Sequence, residues 1–142
     1  MNTDDDKDPF EKELLHFAAQ DGDLNEVRRL LAEGRDINAF DDLGMTPLHY
    51  AVIEERFEVA RFLIDQGADV NAHHEPTISN TPLSEIAGEC SLRMAKLLVD
   101  AGADPTIRGW MQLNALDRAE TRTRGDGPRV YELLLRARRN DR

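Results

Sequence analysis

The sequence predicts an all-α solenoid of stacked helix-turn-helix units with projecting hairpin loops. The first observation is repetition: Gly34-Arg35-Asp36-Ile37-Asn38-Ala39 returns as Gly67-Ala68-Asp69-Val70-Asn71-Ala72 and, shortened, as Gly102-Ala103-Asp104-Pro105. The second is its period. Thr46-Pro47-Leu48-His49 returns as Thr81-Pro82-Leu83-Ser84, and the leucines anchoring each copy stand at Leu15, Leu48, Leu83 and Leu116, every 33 to 35 residues. A period in this range marks a stacked array, in which no unit buries its apolar stripe alone. The third is helical apolar spacing within each copy, in a short run followed by a longer one.

Taken in order, residues 1–8 read as an acidic disordered tail. Asp8 caps a first helix, Pro9 fits its first turn and Glu11 sits at capping-box spacing. Leu14, Leu15, Phe17, Ala18 and Ala19 supply its apolar face, and Asp21-Gly22-Asp23 stops it. Val27, Leu30 and Leu31 form a second helix ending at Gly34, a residue suited to a left-handed cap. In the second copy Thr46 caps and Pro47 opens a short helix carrying Leu48, Ala51 and Val52. Its partner carries Phe57, Val59, Phe62, Leu63 and Ile64 and closes at Gly67. The third copy runs from Thr81-Pro82 through Leu83, Ile86 and Ala87, then Leu92, Met94, Leu97, Leu98 and Val99 to Gly102. The fourth begins at Asn114-Ala115-Leu116 and ends with Val130, Tyr131, Leu133, Leu134 and Leu135. Ala18, Ala51, Ala87 and Ala119 are small enough for neighbouring short helices to approach closely. The polar stretches between units, such as Asn38 to Gly44, are rich in turn residues and project as hairpins.

The pattern Asp-x-x-Gly-x-Thr-Pro-Leu-His-x-Ala, then Val-x-x-Leu-Leu, then Gly-Ala-Asp-x-Asn-Ala resembles the ankyrin repeat. Residues 41–73 match it closely, 9–40 and 74–108 well, and 109–137 loosely. The resemblance implies one domain over 9–137, with repeats at about 9–40, 41–73, 74–108 and 109–137, and a basic C-terminal end at 138–142. Three repeats are followed by a degenerate C-terminal capping repeat. The first copy has Glu13-Leu14 where Thr-Pro is usual, which suits an N-terminal capping unit. The third carries two extra hairpin residues within His73 to Asn80. The fourth has Asn114-Ala115-Leu116-Asp117 for Thr-Pro-Leu-His and about three extra residues around Arg122 to Gly127. Its closing arginines, Arg136, Arg138, Arg139 and Arg142, suit a helix C-terminus.

Composition narrows the function. The net charge is −10 and uneven: residues 1–70 carry 18 acidic and 7 basic side chains, residues 71–142 carry 10 and 11. An acidic half disfavours nucleic acid, which selects clustered Lys and Arg, and favours encounter with a basic protein surface. There is no apolar run long enough for a transmembrane helix and no secretory signal pattern at the start. A single cysteine, Cys90, forms no internal disulfide. The expectation is a soluble, cytoplasmic protein, monomeric by itself and without membrane contact.

No residue cluster calls for catalysis. His16 and His49 fall on the ankyrin-like histidine, whose imidazole the resemblance assigns to architecture. His73-His74 beside Glu75 reads as an exposed turn, since adjacent residues rarely converge on one metal and no further ligand stands at ligand spacing. Cys90 reads as a small packed thiol. Phosphate-loop, dinucleotide, nucleophile-elbow and metalloprotease motifs are absent, and carboxylates without a cleft are not an acid–base pair. Catalytic residues, metals and cofactors are therefore expected to be none. Asn38 and Asn71 match an asparagine that is hydroxylated in some animal ankyrin proteins; a role at the hairpin base is the preferred reading.

In proteins of this resemblance, partners dock against hairpin tips and the exposed face of the short helices. Carried over residue by residue, the partner-binding positions are Phe40, Asp42, Leu43, Met45, Ile53, Glu54, Ile78, Glu89, Trp110 and Met111. Exposed apolar residues ringed by carboxylates suit a specific protein-binding groove, and Trp and Met are enriched in interface cores. For Trp110 and Met111 the alternative is packing inside the irregular fourth unit. The leading expectation is a non-enzymatic binding module, in one form an inhibitor or immunity-type protein that sequesters a toxin or enzyme. A scaffold joining two components, with the helix from Arg129 to Arg142 as its second surface, is the alternative; an enzyme or metal protein is the third.

Overall fold

The computed structural model describes residues 9–140, with side chains described for 11–138. The expected tail at 1–8, with its Asp8 cap, and residues 141–142 lie outside the described residues. Within them every regular element is helical. A single turn, α1 (Pro9–Lys12), precedes four helix pairs: α2 (Leu14–Asp21) with α3 (Leu24–Ala32), α4 (Pro47–Ile53) with α5 (Phe57–Asp65), α6 (Pro82–Ile86) with α7 (Leu92–Asp100), and α8 (Ala115–Glu120) with α9 (Gly127–Asn140). The short helices pack in series, α2 on α4, α4 on α6 and α6 on α8, while α3 meets α5 and α7 meets α9 behind them. The one helix expected from Asp8 to Ala19 is divided at Glu13, whose φ of −110° and ψ of 14° leave the helical region. Glu13 holds the register position that Thr46 holds in the second unit, so α2 starts where α4 does.

Local chemistry sets the ends of the elements. Thr81 accepts the Ser84 N–H at 3.1 Å, Ser91 that of Met94 at 3.1 Å, and Asp23 that of Glu26 at 3.1 Å. Asn114 and Asp117 form a reciprocal capping box. The long helices of the first three units end at Gly34, Gly67 and Gly102, with φ of +93°, +97° and +98°. The residue after each glycine donates back to Leu30, Leu63 or Leu98, which closes the last turn.

The core is a column of equivalent side chains. Leu15, Leu48, Leu83 and Leu116 are buried on the short helices, and Leu30, Leu63, Leu98 and Leu134 on the long ones. Truncating such a leucine to Ala costs about 2–5 kcal/mol. Ala18, Ala51 and Ala119 are buried where short helices meet; in the third unit Ile86 takes that place and Ala87 is buried one residue on.

Polar loop backbone runs beside this core and has to be satisfied across units. His16 Nε2 lies 2.9 Å from the Ala39 carbonyl and 3.1 Å from that of Met45, so it donates to the next hairpin. His49 is buried; its Nδ1 accepts the Thr46 backbone N–H at 3.0 Å, which places the ring proton on Nε2, and Nε2 donates to the Asn80 carbonyl at 2.7 Å. A parallel ladder stands at the hairpin bases. Asn38 Oδ1 accepts the Asp69 N–H at 2.8 Å and Asn71 Oδ1 that of Asp104 at 2.7 Å. The third unit breaks the histidine series. Ser84 is too short to cross the junction, and its buried hydroxyl has no partner among the described residues.

Burial pushes the His49 imidazole down to about 4. Its folded value lies below the unfolded one of about 6.5, so the unfolded chain binds the extra proton. The stability this group contributes is present above about pH 6.5 and is lost as pH falls towards 4. Urea unfolding at pH 7 and pH 4.5 should show a loss in the wild type that exceeds the loss in His49→Leu by about 3 kcal/mol or less, with His49→Leu the less stable protein at pH 7. A second expectation concerns Ser84: Ser84→Ala removes an unpaired buried hydroxyl and should leave the midpoint of thermal unfolding unchanged or raised, whereas a clear loss of stability would show that the hydroxyl has a partner.

Candidate functional site

Three hairpin tips project on the side of the short helices, and each is closed by its own hydrogen bonds. In the first, Asp41 N–H donates to the Met45 carbonyl at 2.9 Å, and the Asp41 carboxylate accepts the N–H groups of Leu43 at 2.9 Å and Met45 at 3.0 Å. Tyr50, from α4, donates its hydroxyl to the same carboxylate. Burial, followed by that carboxylate, pushes the Tyr50 hydroxyl up, so it remains a donor. In the second tip the two extra residues are absorbed by a 3-10 turn over Glu75–Thr77, followed by Ile78 at φ +53°. In the third, Gly109 N–H donates to Leu113 at 3.0 Å around a 3-10 turn at Trp110–Gln112.

Neighbouring tips abut. Phe40 and His74 rings meet with centroids 4.9 Å apart. At Gly44 a Cβ would lie 2.1 Å from Thr77 Oγ1, and at Gly109 one would lie 2.4 Å from Asn80 Oδ1 and 2.9 Å from the Ser79 carbonyl. Only glycine lets the tips touch this closely.

The third tip is the most constrained. Met111 and Gln112 both hold positive φ, 61° and 60°, a conformation that costs an ordinary residue about 1–2 kcal/mol. It is held from below. The Asn80 side-chain carbonyl accepts the Trp110 N–H at 2.9 Å, Arg118 donates to the Trp110 carbonyl at 3.1 Å, and Arg108 donates to the Gln112 carbonyl at 2.9 Å. Asn80 and Arg118 thus span the junction where Ser84 cannot.

Most of the sequence-predicted positions are exposed. Leu43 is 66% exposed, Ile78 51%, Trp110 57% and Met111 70%; Phe40 and Ile53 are also exposed. Asp42, Glu54 and Glu89 are exposed as well. The alternative of Trp110 and Met111 filling the fourth unit does not match these exposures. Met45 differs from the rest. It is half-buried, and both its N–H and its carbonyl are engaged, by Asp41 and His16. Two grooves run between the short helices. One of about 310 Å³ lies between α4 and α6, lined by Val52, Ile53, Glu55, Glu85, Ile86, Glu89 and Cys90. One of about 560 Å³ lies between α6 and α8, lined by Glu85, Gly88, Glu89, Leu113, Asp117, Arg118 and Thr121. A third concavity, about 620 Å³, opens elsewhere, beside Lys12, His16 and Arg35 in the first unit, and Phe40 is the one expected residue on its wall.

The sequence did not single out Glu85 and Arg118, and it placed Asn80 on the hairpin without its role in holding the next tip. The signal for Glu85 and Arg118 was in the register: Tyr50, Glu85 and Arg118 each stand two residues after an anchoring leucine and reach the preceding tip. Cys90 is buried, and burial pushes its thiol up to about 11, so little thiolate exists near neutral pH. Among the described residues no three of His, Cys, Asp or Glu are grouped to hold a metal ion, and no helix is long and apolar enough to cross a membrane.

Stacked helical pairs joined by hydrogen-bonded tips that carry exposed apolar side chains define a repeat protein. The family of ankyrin repeats, in three copies, matches residues 1–74, and the chain belongs to that family. It is 37% identical over 99 residues to palmitoyltransferase akr1 of Neurospora crassa, covering 69% of this chain and 13% of that protein. It is 36% identical over 106 residues to the nuclear factor NF-kappa-B p105 subunit of Mus musculus, covering 72% and 11%. To inversin of Danio rerio it is 32% identical over 96 residues, covering 68% and 9%. The chain thus spans about a tenth of the length of these relatives. Ankyrin repeats are non-catalytic modules that bind other proteins.

The cage beneath Trp110 yields an expectation. The chain has one tryptophan, so its fluorescence reports this tip alone. Asn80→Ala should red-shift that emission and speed exchange of the Trp110 N–H, at a cost of about 1–3 kcal/mol in stability. Unchanged exchange would show that Arg118 and Arg108 hold the tip without Asn80.

Proposed function

We propose that this chain is a non-enzymatic binding protein that holds a partner protein across its hairpin tips and short helices. The observation that carries the reading is the strip of exposed Leu43, Ile78, Trp110 and Met111 on tips whose backbone is fixed by internal hydrogen bonds. Large apolar side chains held rigidly in water gain most when a partner covers them, and little ordering entropy is lost on binding. The partner is a protein with a basic surface, not a nucleic acid or a membrane, because Asp42, Glu54 and Glu89 stand exposed among the expected binding positions and residues 1–70 carry 18 acidic side chains against 7 basic ones. In its concrete form the chain acts as a cytoplasmic inhibitor or immunity-type protein, monomeric when unbound, that covers a basic site on a toxin or enzyme. A second reading, an adaptor, is favoured by the exposed Arg129, Arg136 and Arg138 on α9, which give the far end of the stack a surface of opposite charge.

Affinity capture from the native source tests the reading. Leu43→Asp with Met111→Asp should leave the thermal midpoint nearly unchanged, since both side chains are more than half exposed, while capture of the wild-type partner falls at least about tenfold. Undiminished capture by this folded variant would sink it. The inhibitor form further requires that the captured partner lose its activity when bound.

A further inference from the structure

We propose that helix α6 is the seat of a cationic segment of the partner, with Glu85 and Glu89 as the shared wall of two adjacent grooves that each receive one arginine or lysine side chain. This rests on the protein-binding reading above and names the chemistry that the same face selects.

Glu85 lies in the C-terminal half of α6, the shortest of the four short helices, and Glu89 four residues on in the turn that follows it; both line the α4/α6 groove and the α6/α8 groove. The α4/α6 groove has an apolar floor of Val52, Ile53, Ile86 and Cys90, and its charged lining is Glu55, Glu85 and Glu89, with no cation. In the α6/α8 groove Leu113 and Gly88 form the floor. A Cβ added at Gly88 would meet nothing within 4 Å, so the space above it is open. The charged lining there is Glu85, Glu89, Asp117 and Arg118. Arg118 is turned to the tip, donating to the Trp110 carbonyl and, at 3.4 Å, to Asn80 Oδ1. Arg122 is likewise turned to the Ala87 carbonyl at 3.2 Å.

The wall itself is under-used. The Glu89 carboxylate has no hydrogen-bond partner among the described residues, and the Glu85 carboxylate has one long contact, from Asn80 Nδ2 at 3.5 Å. Glu55, on the same groove, is by contrast engaged, accepting from Ser91, as are Glu26 and Glu33 in the first unit, which pair with Arg29. An apolar trough ending at unpaired carboxylates is complementary to a side chain with an apolar stem and a cationic head, which is the build of Lys and Arg. An acidic or aliphatic side chain matches one part of the trough and not the other. Two troughs sharing one wall favour a segment that crosses α6 and drops a cation on each side.

The probe is a blocked peptide, Gly-Arg-Leu-Arg-Gly, titrated into labelled full chain and followed by amide chemical shifts. Saturable shifts should concentrate on α4, α6 and α8. They should weaken at least about fivefold in Glu85→Gln/Glu89→Gln and on raising the salt, as exposed charge pairs do. The matching peptide with glutamates for arginines should give none. Equal affinity for the double variant, equal shifts with the glutamate peptide, or shifts placed elsewhere each overturn the proposal. Capture of the native partner separates the two levels: loss in Leu43→Asp/Met111→Asp with full retention in Glu85→Gln/Glu89→Gln leaves protein binding standing and rejects the α6 seat.

Discussion

The structure depends on one requirement: each loop between units carries backbone N–H and carbonyl groups beside an apolar core, and those groups need partners there. Helices satisfy their own backbone and strands satisfy each other, but a stack of helical pairs leaves its loops to be satisfied by side chains from the neighbouring unit. His16 and His49 meet the requirement from one side of the junction, and Asn38 and Asn71 from the other. Because every such bond joins one unit to the next, the spacing of the units and the pairing of their loops are a single constraint. The neutral state of His49 follows from it as well, since a ring placed between two buried loops is placed out of water.

The same bonds shape the binding face. A loop pinned at its base and closed at its neck can carry Leu43 or Trp110 outward without folding back over them. Positive backbone angles at Met111 and Gln112 persist because Asn80, Arg108 and Arg118 hold the turn on three sides. Strain of this kind fits a surface whose side chains are presented instead of packed. Between the tips and the long helices, the short helices leave grooves whose chemistry changes from unit to unit, so the architecture is repetitive and the face is not.

Much of the fold was legible because repetition lets one unit be read against another. The capping threonines, the closing glycines and the leucine columns all announced themselves by period, and the fold they imply is the observed one. The divided first helix was less legible: Pro9 and Glu11 give a good local start, and only the register shows that Glu13 stands where Thr46 does. Exposure at Leu43, Trp110 and Met111 could be inferred from their lack of a stacking duty. Met45 could not be separated from them, because its engagement is through backbone atoms that carry no side-chain signature. The role of Asn80 was hidden for a related reason, since it depends on which groups a neighbouring turn happens to leave pointing inward.

Ser84 has a consequence for how such an array can change over time. Repeat proteins grow and shrink by duplicating or losing whole units, which works when every junction has the same plug and socket. Here the first two junctions join a histidine to a loop carbonyl, whereas the third joins an asparagine carbonyl to a loop N–H, with an arginine closing the pair. A unit copied from the second position into the fourth would arrive with the wrong fitting and leave polar groups stranded at its border. The fourth unit is therefore matched to the third, and the order of these two units is written into a single side chain.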